Sequence, residues 1–218
     1  MTTSEVVSSP CHDHLDTTSV EGAGMSSVMA ATYEWLCEEF TDGADEIWLC
    51  AGFVRELPPQ EALRRIHVTP GSPSGSGQGV AAYAASGGTV LIEYGWARTV
   101  YDKTQLLSAG TSAAAMYVNI NNDGFTYCVD GRQITTFSLY AYSLRKGAGP
   151  DRLQTDVEDL GMDIDGDQLE FPDDPVSSAL ALAARATGVH LPSSRFARPV
   201  LMGSTDHLYP SAAGALGS

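Results

Sequence analysis

Two short segments of the chain have the residue types and the close spacing of a metal site. Cys11-His12-Asp13-His14 places four potential ligands in a row, and thiolate, imidazole and carboxylate groups are common ligands of metals. A fixed site also needs neighbouring groups that orient its ligands, and no predicted helix or strand supplies them around this segment. His12 and His14 are therefore candidate ligands, but we expect no metal centre.

The second segment, Asp163-Ile164-Asp165-Gly166-Asp167, resembles part of a calcium-binding loop. Aligning Gly166 with the invariant glycine of such a loop places Asp163 and Asp165 at ligand positions. The same alignment puts a glycine at the first ligand position and a proline where the bidentate glutamate belongs, so both anchors fail. Asp163 and Asp165 are candidates only in this loose sense, and we predict neither a metal nor a cofactor.

The chain has candidate groups for acid–base chemistry but no complete catalytic motif. Glu93 follows the apolar run Val90-Leu91-Ile92 in a predicted strand. If Glu93 faces inward, it needs an arginine such as Arg98 or Arg145, or else a raised pKa. If the strand is half-solvated, Glu93 faces outward, and this is the interpretation that we favour.

Ser108 lies in the segment Leu107-Ser108-Ala109-Gly110-Thr111, which has the composition of a nucleophile turn or a phosphate-binding loop. The segment lacks the G-x-S-x-G pattern and a Walker lysine, so a helix that ends at a glycine is the simpler interpretation. Glu93, Ser108 and Arg145 are the residues that we would assign to catalysis if the protein is an enzyme.

Charge is distributed unevenly along the chain. Of its 27 acidic residues, 20 lie in residues 1–54 and 151–174, whereas residues 55–150 carry six acids and eight bases. The formal net charge is −15 over 218 residues. Phosphate-binding faces are rich in Lys and Arg, so we expect neither nucleic acid nor an anionic membrane as a partner. The acidic stretches are either solvated surface or a docking face for a basic protein.

Five residues are candidates for contact with a partner or a ligand. Exposed tryptophans anchor many protein interfaces, which makes Trp35, Trp48 and Trp96 candidates for contact with a protein. Arg145 and Lys146 stand at the start of a predicted loop and are candidates for an anionic small ligand. The sequence leaves the oligomeric state open.

Hydrophobic periodicity predicts the elements that must position these residues. Helices are predicted over Ser27–Phe40 and Asp174–Thr187, before and after a region of short strands that glycine-rich turns connect. The predicted strands are Glu46–Phe53, Val80–Ala85, Thr89–Trp96, Ala113–Ile120, Phe125–Val129 and Gln133–Leu139. Hairpin connections favour an α+β fold with a mainly antiparallel sheet of about five to six strands and helices packed on it.

Segments of small polar residues divide the chain into three parts. We predict a flexible acidic leader at 1–24, a single α+β domain at 25–202 with a Gly/Ser-rich loop at 69–79, and a flexible tail at 203–218. The sequence shows no secretory signal and no apolar run of the ~20 residues that a membrane helix needs. We therefore expect a cytoplasmic protein.

Several segments form a specific combination, although each is common by itself. They are Tyr33-x-Trp35-Leu36, Gly52-Phe53, Val90-Leu91-Ile92-Glu93-x(2)-Trp96, Leu107-Ser108-Ala109-Gly110-Thr111, Val118-Asn119-x(2)-Asn122, Asp130-Gly131 and Arg145-x-Gly147-x(2)-Pro150. Together they resemble a family of actinobacterial proteins of unknown function, over about residues 30–188. The resemblance implies one bacterial, cytoplasmic domain, and it brings no activity and no site residues.

Three classes of function follow from these observations, and the one that we rank last is a purely structural or homo-oligomeric module. The first is a non-enzymatic binding protein, for example an immunity- or antitoxin-like inhibitor, that uses its acidic surface to dock a basic protein. The second is a small enzyme or accessory protein of a bacterial biosynthetic or modification pathway, with a site near Glu93, Ser108–Thr111 and Arg145. We expect the first, because charge is segregated and catalytic motifs are absent from the sequence.

Overall fold

An antiparallel sheet of eight strands forms the centre of the protein. The computed structural model describes residues 28–41, 46–71, 78–95, 97–162 and 172–209. The strands are β1 (Leu49–Arg55), β2 (Gly79–Ala85), β3 (Gly88–Tyr94), β4 (Ser112–Val118), β5 (Asp123–Val129), β6 (Arg132–Ser138), β7 (Ala141–Lys146) and β8 (Leu201–Ser204). They lie in the order β7-β6-β5-β4-β1-β3-β2-β8, and every neighbouring pair is antiparallel.

The predicted α+β class and antiparallel sheet are confirmed, but the predicted number of strands is wrong. Six predicted strands are present with shifted ends, and the two that the sequence did not indicate, β7 and β8, are the edges of the sheet. An edge strand buries fewer of its side chains, so its hydrophobic alternation is weak. In β7 only Tyr142 is buried, and β8 has four residues. Arg145 and Lys146 therefore end a strand rather than begin a loop.

Helices cover both faces of the sheet. One face carries α1 (Glu34–Glu39), α5 (Gln154–Asp159) and α6 (Pro175–Thr187), and the other carries α2 (Pro59–Arg65), α3 (Thr99–Asp102) and α4 (Thr104–Leu107). A seventh helix, α7 (Ser193–Phe196), precedes β8, and 3₁₀ turns lie at Ala30–Thr32 and Asp206–Leu208.

The central strands are buried on both faces because each face contributes its own core. Along β3, Val90 and Ile92 belong to the core under α6, whereas Leu91 belongs to the core under α2 and α3. This explains why the strand reads as a continuous apolar run instead of an alternation. Most residues of α6 are buried, and its alanines allow the helix to pack closely on β1 and β4.

The register of the strands places three connections at one end of the sheet. Leu49 of β1 lies opposite Val118 of β4, and Val118 lies opposite Asp123 of β5. Ser138 of β6 lies opposite Ala141 of β7. The segment that precedes β1, the β4–β5 turn and the β6–β7 turn therefore all lie at this end, where the N-terminus of α6 also contributes to the surface.

Some predicted segments fall outside the described residues. These are the leader at 1–24, residues 72–77 of the Gly/Ser-rich loop and residues 210–218 of the tail. The described structure extends past residue 202 through the end of β8 and the 3₁₀ turn at Asp206–Leu208. Within the described residues, none of the helices combines the length and the apolar character that crossing a membrane requires.

Candidate functional site

Glu93 is buried, so the expectation that it faces outward is wrong. Its side chain is 1% exposed and lies on the face of β3 that α3 covers. One carboxylate oxygen, Oε2, accepts a hydrogen bond from the backbone N–H of Val100 at 2.9 Å, at the start of α3. The other, Oε1, has no hydrogen-bond partner among the described residues. Burial raises the pKa of Glu93, and contacts with Thr99, Val100 and Cys50 partly offset that effect.

Arg145 and Ser108 are held in separate structural contacts. The Arg145 guanidinium donates to the carboxylate of Asp151 at 2.7 Å and lies over the ring of Tyr142. Ser108 is buried, and its hydroxyl donates to the carbonyl of Gln105 and accepts from the backbone N–H of Gly131. It thereby ties the end of α4 to the β5–β6 turn.

The structure does not bring the three catalytic candidates together. Four strands separate β3, which carries Glu93, from β7, which carries Arg145. At the usual spacing of neighbouring strands, this separation is roughly 24 Å. Ser108 contacts Gly131 of the β5–β6 turn, and neither residue of that turn, Asp130 or Gly131, lines the two pockets described below.

The structure describes three of the remaining candidate residues, Trp35, Trp48 and Lys146. Trp35 is half-buried, donates its ring N–H to the carbonyl of Thr32 and packs against Phe196. Trp48 is half-buried in a small cleft, and Lys146 is exposed at the end of β7. Trp96, His12, His14, Asp163 and Asp165 lie outside the described residues. In the part of the chain that the structure describes, no three Cys, His, Asp or Glu side chains could hold a metal ion together.

A groove at the end of the sheet brings the two acidic stretches of the sequence together. Its first half, which we call the acidic pocket, has a volume of about 370 Å³. The carboxylates that line it are those of Glu34 and Glu38 from α1 and of Asp173 and Asp174 from the start of α6. Residues about 140 positions apart in sequence thus surround one concave surface.

The second half, which we call the amide pocket, has a volume of about 480 Å³. The β4–β5 turn contributes Asn119, Asn121 and Asn122 to its lining, and two carboxylates, of Glu46 and Asp123, complete the polar part. The two pockets share a strip of three residues, which we call the ridge. The ridge consists of Ile47, Tyr140 and Val176. We refer to the whole as the acidic groove.

The four carboxylates of the acidic pocket form no ion pair with Lys or Arg. All twelve Lys and Arg residues of the chain fall within the described residues, so the absence of an ion pair holds for each of these side chains. Their ion pairs with acids of the described residues use Glu56, Glu61, Asp102, Asp151, Asp156 and Asp159. No Lys or Arg lines either pocket.

Helix N-termini stabilise three of these four carboxylates. Asp174 is the N-cap residue of α6 and Asp173 precedes it, and the positive end of a helix dipole favours carboxylates at these positions. Glu34 is the first residue of α1. The Asp174 side chain makes no capping hydrogen bond.

Cys37, which lines the acidic pocket, shows the electrostatic effect of these carboxylates. Its pKa is raised to about 12. The largest cause is burial of the thiol, and the negative charges of Asp174, Glu34 and Glu38 add to it. Each of these carboxylates disfavours a second anion nearby, so the acidic pocket disfavours anions and favours cations.

The sequence contained the signal for this site but not its geometry. The two acidic stretches are evident in the composition, and their convergence depends on α1 and α6 meeting at the end of the sheet. Tyr140 and the β4–β5 turn were not among the predicted site residues. A turn signal at Asn121-Asn122-Asp123-Gly124 is present in the sequence, but turns of this kind occur in most sheet proteins.

The fold and the groove define a small α+β protein with an acidic concave surface, and one comparison with known proteins gives its family. The chain belongs to DUF6461, a family of unknown function, which matches residues 85–199. This confirms the predicted membership in a family of unknown function, whereas the actinobacterial origin stays a prediction. No curated protein and no solved structure shows significant similarity to the chain.

Proposed function

We propose that this protein is a non-enzymatic binding protein that docks a basic protein partner in the acidic groove. One observation carries the proposal: four carboxylates line one pocket, and every Lys and Arg of the chain lies elsewhere. A partner that supplies cations would complete this pocket with charge-assisted hydrogen bonds. An immunity- or antitoxin-like inhibitor of a cytoplasmic basic protein is the form of this function that we favour.

Charge complementarity also selects the class of partner. Carboxylates repel phosphate groups, so nucleic acid and anionic lipid headgroups do not suit this groove. A second copy of the chain carries the same net charge of −15 and is repelled at long range. A basic protein is attracted by the same field, which raises its rate of association.

The enzymatic alternative lacks comparable support. It requires Glu93, Ser108–Thr111 and Arg145 to form one site, and these residues make separate contacts in different parts of the sheet. Glu93 acts as a buried acceptor at the start of α3, and Arg145 is occupied by Asp151. We therefore keep the binding function as the single proposal.

The test compares two variants that lose the same charge. The groove variant carries Glu34→Gln, Glu38→Gln, Asp173→Asn and Asp174→Asn. The control variant carries Glu39→Gln, Glu56→Gln, Asp130→Asn and Glu158→Gln, four residues that line neither pocket. Proteins captured from the native host at low and high salt are identified, and the affinity of each variant for the captured basic protein is measured by calorimetry.

We expect the groove variant to bind the basic partner at least about tenfold more weakly, and the control variant to bind within about threefold of the wild type. High salt should weaken wild-type binding, because the contacts are electrostatic. Equal losses in both variants would show that net charge alone drives the association and would contradict the groove. Capture of no basic protein that is sensitive to salt would contradict the function.

A further inference from the structure

We infer that the groove accepts a single extended segment of its partner. A cationic side chain of the segment enters the acidic pocket, an apolar side chain two positions away covers the ridge, and the main chain contacts the amide pocket. This inference rests on the proposed function and specifies its mode of recognition. It depends on the ridge and the amide pocket, neither of which contributes to the attraction between charges.

The ridge supplies an apolar contact between the two pockets. Tyr140 is 40% exposed although it belongs to a sheet protein with two well-packed cores, and Ile47 is half-buried beside it. Ile120, in the β4–β5 turn that lines the amide pocket, is 55% exposed. Aromatic side chains in concave, partly desolvated positions are the usual anchors of protein interfaces. A free polyamine has no side chain that would use this surface.

The amide pocket has polar groups that match a polypeptide main chain. The side-chain amides of Asn121 and Asn122 have no hydrogen-bond partner within the part of the chain described. Each amide offers both donors and an acceptor, and an extended main chain presents both N–H and C=O groups. Carboxylates by themselves would favour any cation, whereas these amides favour a peptide.

The amides project from a turn with a fixed backbone. The Asn119 side-chain oxygen accepts hydrogen bonds from the backbone N–H groups of Asn121 and Asn122, each at 2.9 Å. The backbone N–H of Asn119 in turn donates to the carbonyl of Asn122 at 2.9 Å. Asp123, which follows this turn and lines the same pocket, accepts hydrogen bonds from the Ser138 hydroxyl and the Leu139 backbone N–H, which holds the β6–β7 turn in place. Preorganised groups of this kind lower the entropic cost of binding.

The geometry of an extended chain sets the spacing of the two side chains. Alternate residues of a strand point to the same side, and the ridge borders the acidic pocket directly, so the nearest pair of side chains that can contact both is separated by one position. If they are adjacent in sequence, they point to opposite sides and cannot both contact the groove. This difference distinguishes a specific mode of binding from general attraction between charges.

The experiment uses two synthetic peptides of identical composition with the full-length protein. The matched peptide is Ac-Gly-Arg-Gly-Leu-Gly-Gly-NH2, and the mismatched peptide is Ac-Gly-Arg-Leu-Gly-Gly-Gly-NH2. Binding is followed by two-dimensional amide NMR, which detects millimolar affinities and also shows whether each variant is folded. Spermine serves as the probe for a cation without a main chain.

We expect the matched peptide to bind at least about threefold more tightly than the mismatched one, with shifts at residues of both pockets. Tyr140→Ser, and separately Asn121→Ala with Asn122→Ala, should abolish this preference and should weaken the matched peptide more than spermine. Asp174→Asn should weaken the binding of all three ligands, because each ligand places a cation in the acidic pocket.

Two results would overturn the inference and leave the proposed function intact. One is equal binding of both peptides, insensitive to Tyr140→Ser. The other is no peptide binding at all while the groove variant still loses the basic protein. In either case, the groove would recognise a folded basic surface through charge alone. If the groove variant also retained its affinity for the basic protein, the inference and the function would both fail.

Discussion

The guanidinium of Arg185 lies 3.3 Å from the carboxylate of Asp156, and the Arg185 side chain is only 3% exposed. The same guanidinium lies 3.6 Å from Asp159 and donates to the carbonyl of Val28 at 2.8 Å. A single arginine thus joins α6, α5 and the segment before α1, and it pairs two acids of the second acidic stretch. Asp173 and Asp174, the acids of that stretch in the acidic pocket, are left without such a partner.

Replacing Arg185 by Met should lower the free energy of unfolding by about 2–3 kcal/mol, because the change leaves two carboxylates and a backbone carbonyl without their donor. The half-exposed carboxylates regain water, which keeps the loss below that of a fully buried pair. Arg185→Lys should lose less of the free energy of unfolding, since it keeps the positive charge. Urea unfolding measures both, and an unchanged midpoint for Arg185→Met would contradict the role assigned to this residue.

The buried Glu93 predicts a specific pH dependence of stability. Its pKa is raised above the ordinary value of 4.5 by burial. Between pH 4.5 and the raised pKa of Glu93, the native state holds a proton that the unfolded state has lost. The free energy of unfolding therefore falls as the pH rises through this range. Glu93→Gln should remove this slope. Urea unfolding between pH 4.5 and 8 measures it.

A control for that measurement is Glu61, whose pKa is lowered to about 2 by hydrogen bonds from Arg64 and Arg65. The stabilisation that ionised Glu61 gives to the native state is present above pH 4.5. It is lost only as the pH falls toward 2, which lies outside the measured range. Glu61→Gln should therefore leave the slope as it is in the wild type. A slope that Glu93→Gln does not change would assign the pH dependence to another group.

Two glycines with similar positive φ angles should differ in their tolerance of alanine. Gly87 has φ +80° and Gly110 has φ +71°. A Cβ at Gly87 would overlap the carbonyl oxygen of Gly188, whereas a Cβ at Gly110 would meet no atom within 4 Å. Gly110→Ala should cost about 1 kcal/mol from the left-handed backbone, and Gly87→Ala about 2 kcal/mol more from the clash. Thermal unfolding of both variants tests this difference, and equal losses would contradict it.

The Cys37 thiol should report the charge of the acidic pocket. With a pKa of about 12, Cys37 should react slowly with iodoacetamide at pH 8, because the thiolate is the reactive form. Replacing Glu34, Glu38 and Asp174 by their amides should lower that pKa and speed the reaction, although burial will keep it slower than in a free thiol. Peptide mass spectrometry quantifies the modification.

Cys128 is the internal reference for this reaction. Its pKa is raised by burial, with no carboxylate contributing, so the three substitutions should leave its modification rate unchanged. A parallel increase at both cysteines would indicate that the variant protein has loosened. No increase at Cys37 would show that the carboxylates do not act on the acidic pocket.

The interior of the fold was more predictable from sequence than its edges. Apolar runs such as Val90-Leu91-Ile92 predict central strands directly, because burial on both faces demands such residues. At the edges, β7 buries Tyr142 alone and contains Arg145 and Lys146, so no period of two identifies it. The inward orientation of Glu93 depends on α3 presenting the N–H of Val100, and such a partner seven residues away is not encoded in the strand itself.

The candidate site was less predictable because it is assembled from several distant segments. Asp173 and Asp174 belong to a stretch that also contains paired acids, and sequence does not tell Asp156, which Arg185 neutralises, from Asp174, which no Lys or Arg neutralises. The distinction depends on which side of α6 each residue reaches. In the sequence, nothing distinguishes Tyr140 from a core tyrosine such as Tyr142, because the exposure of Tyr140 depends on the position of the β6–β7 turn.

The location of the groove on connections has a consequence for how its selectivity can change. The β4–β5 turn, the β6–β7 turn and the segment before β1 lie at the end of the sheet, and most of their side chains contribute to neither core. Substitutions and insertions there cost little stability, because surface connections tolerate change better than packed strands. Relatives that share this sheet can therefore diverge in the residues of the groove while they keep the same interior.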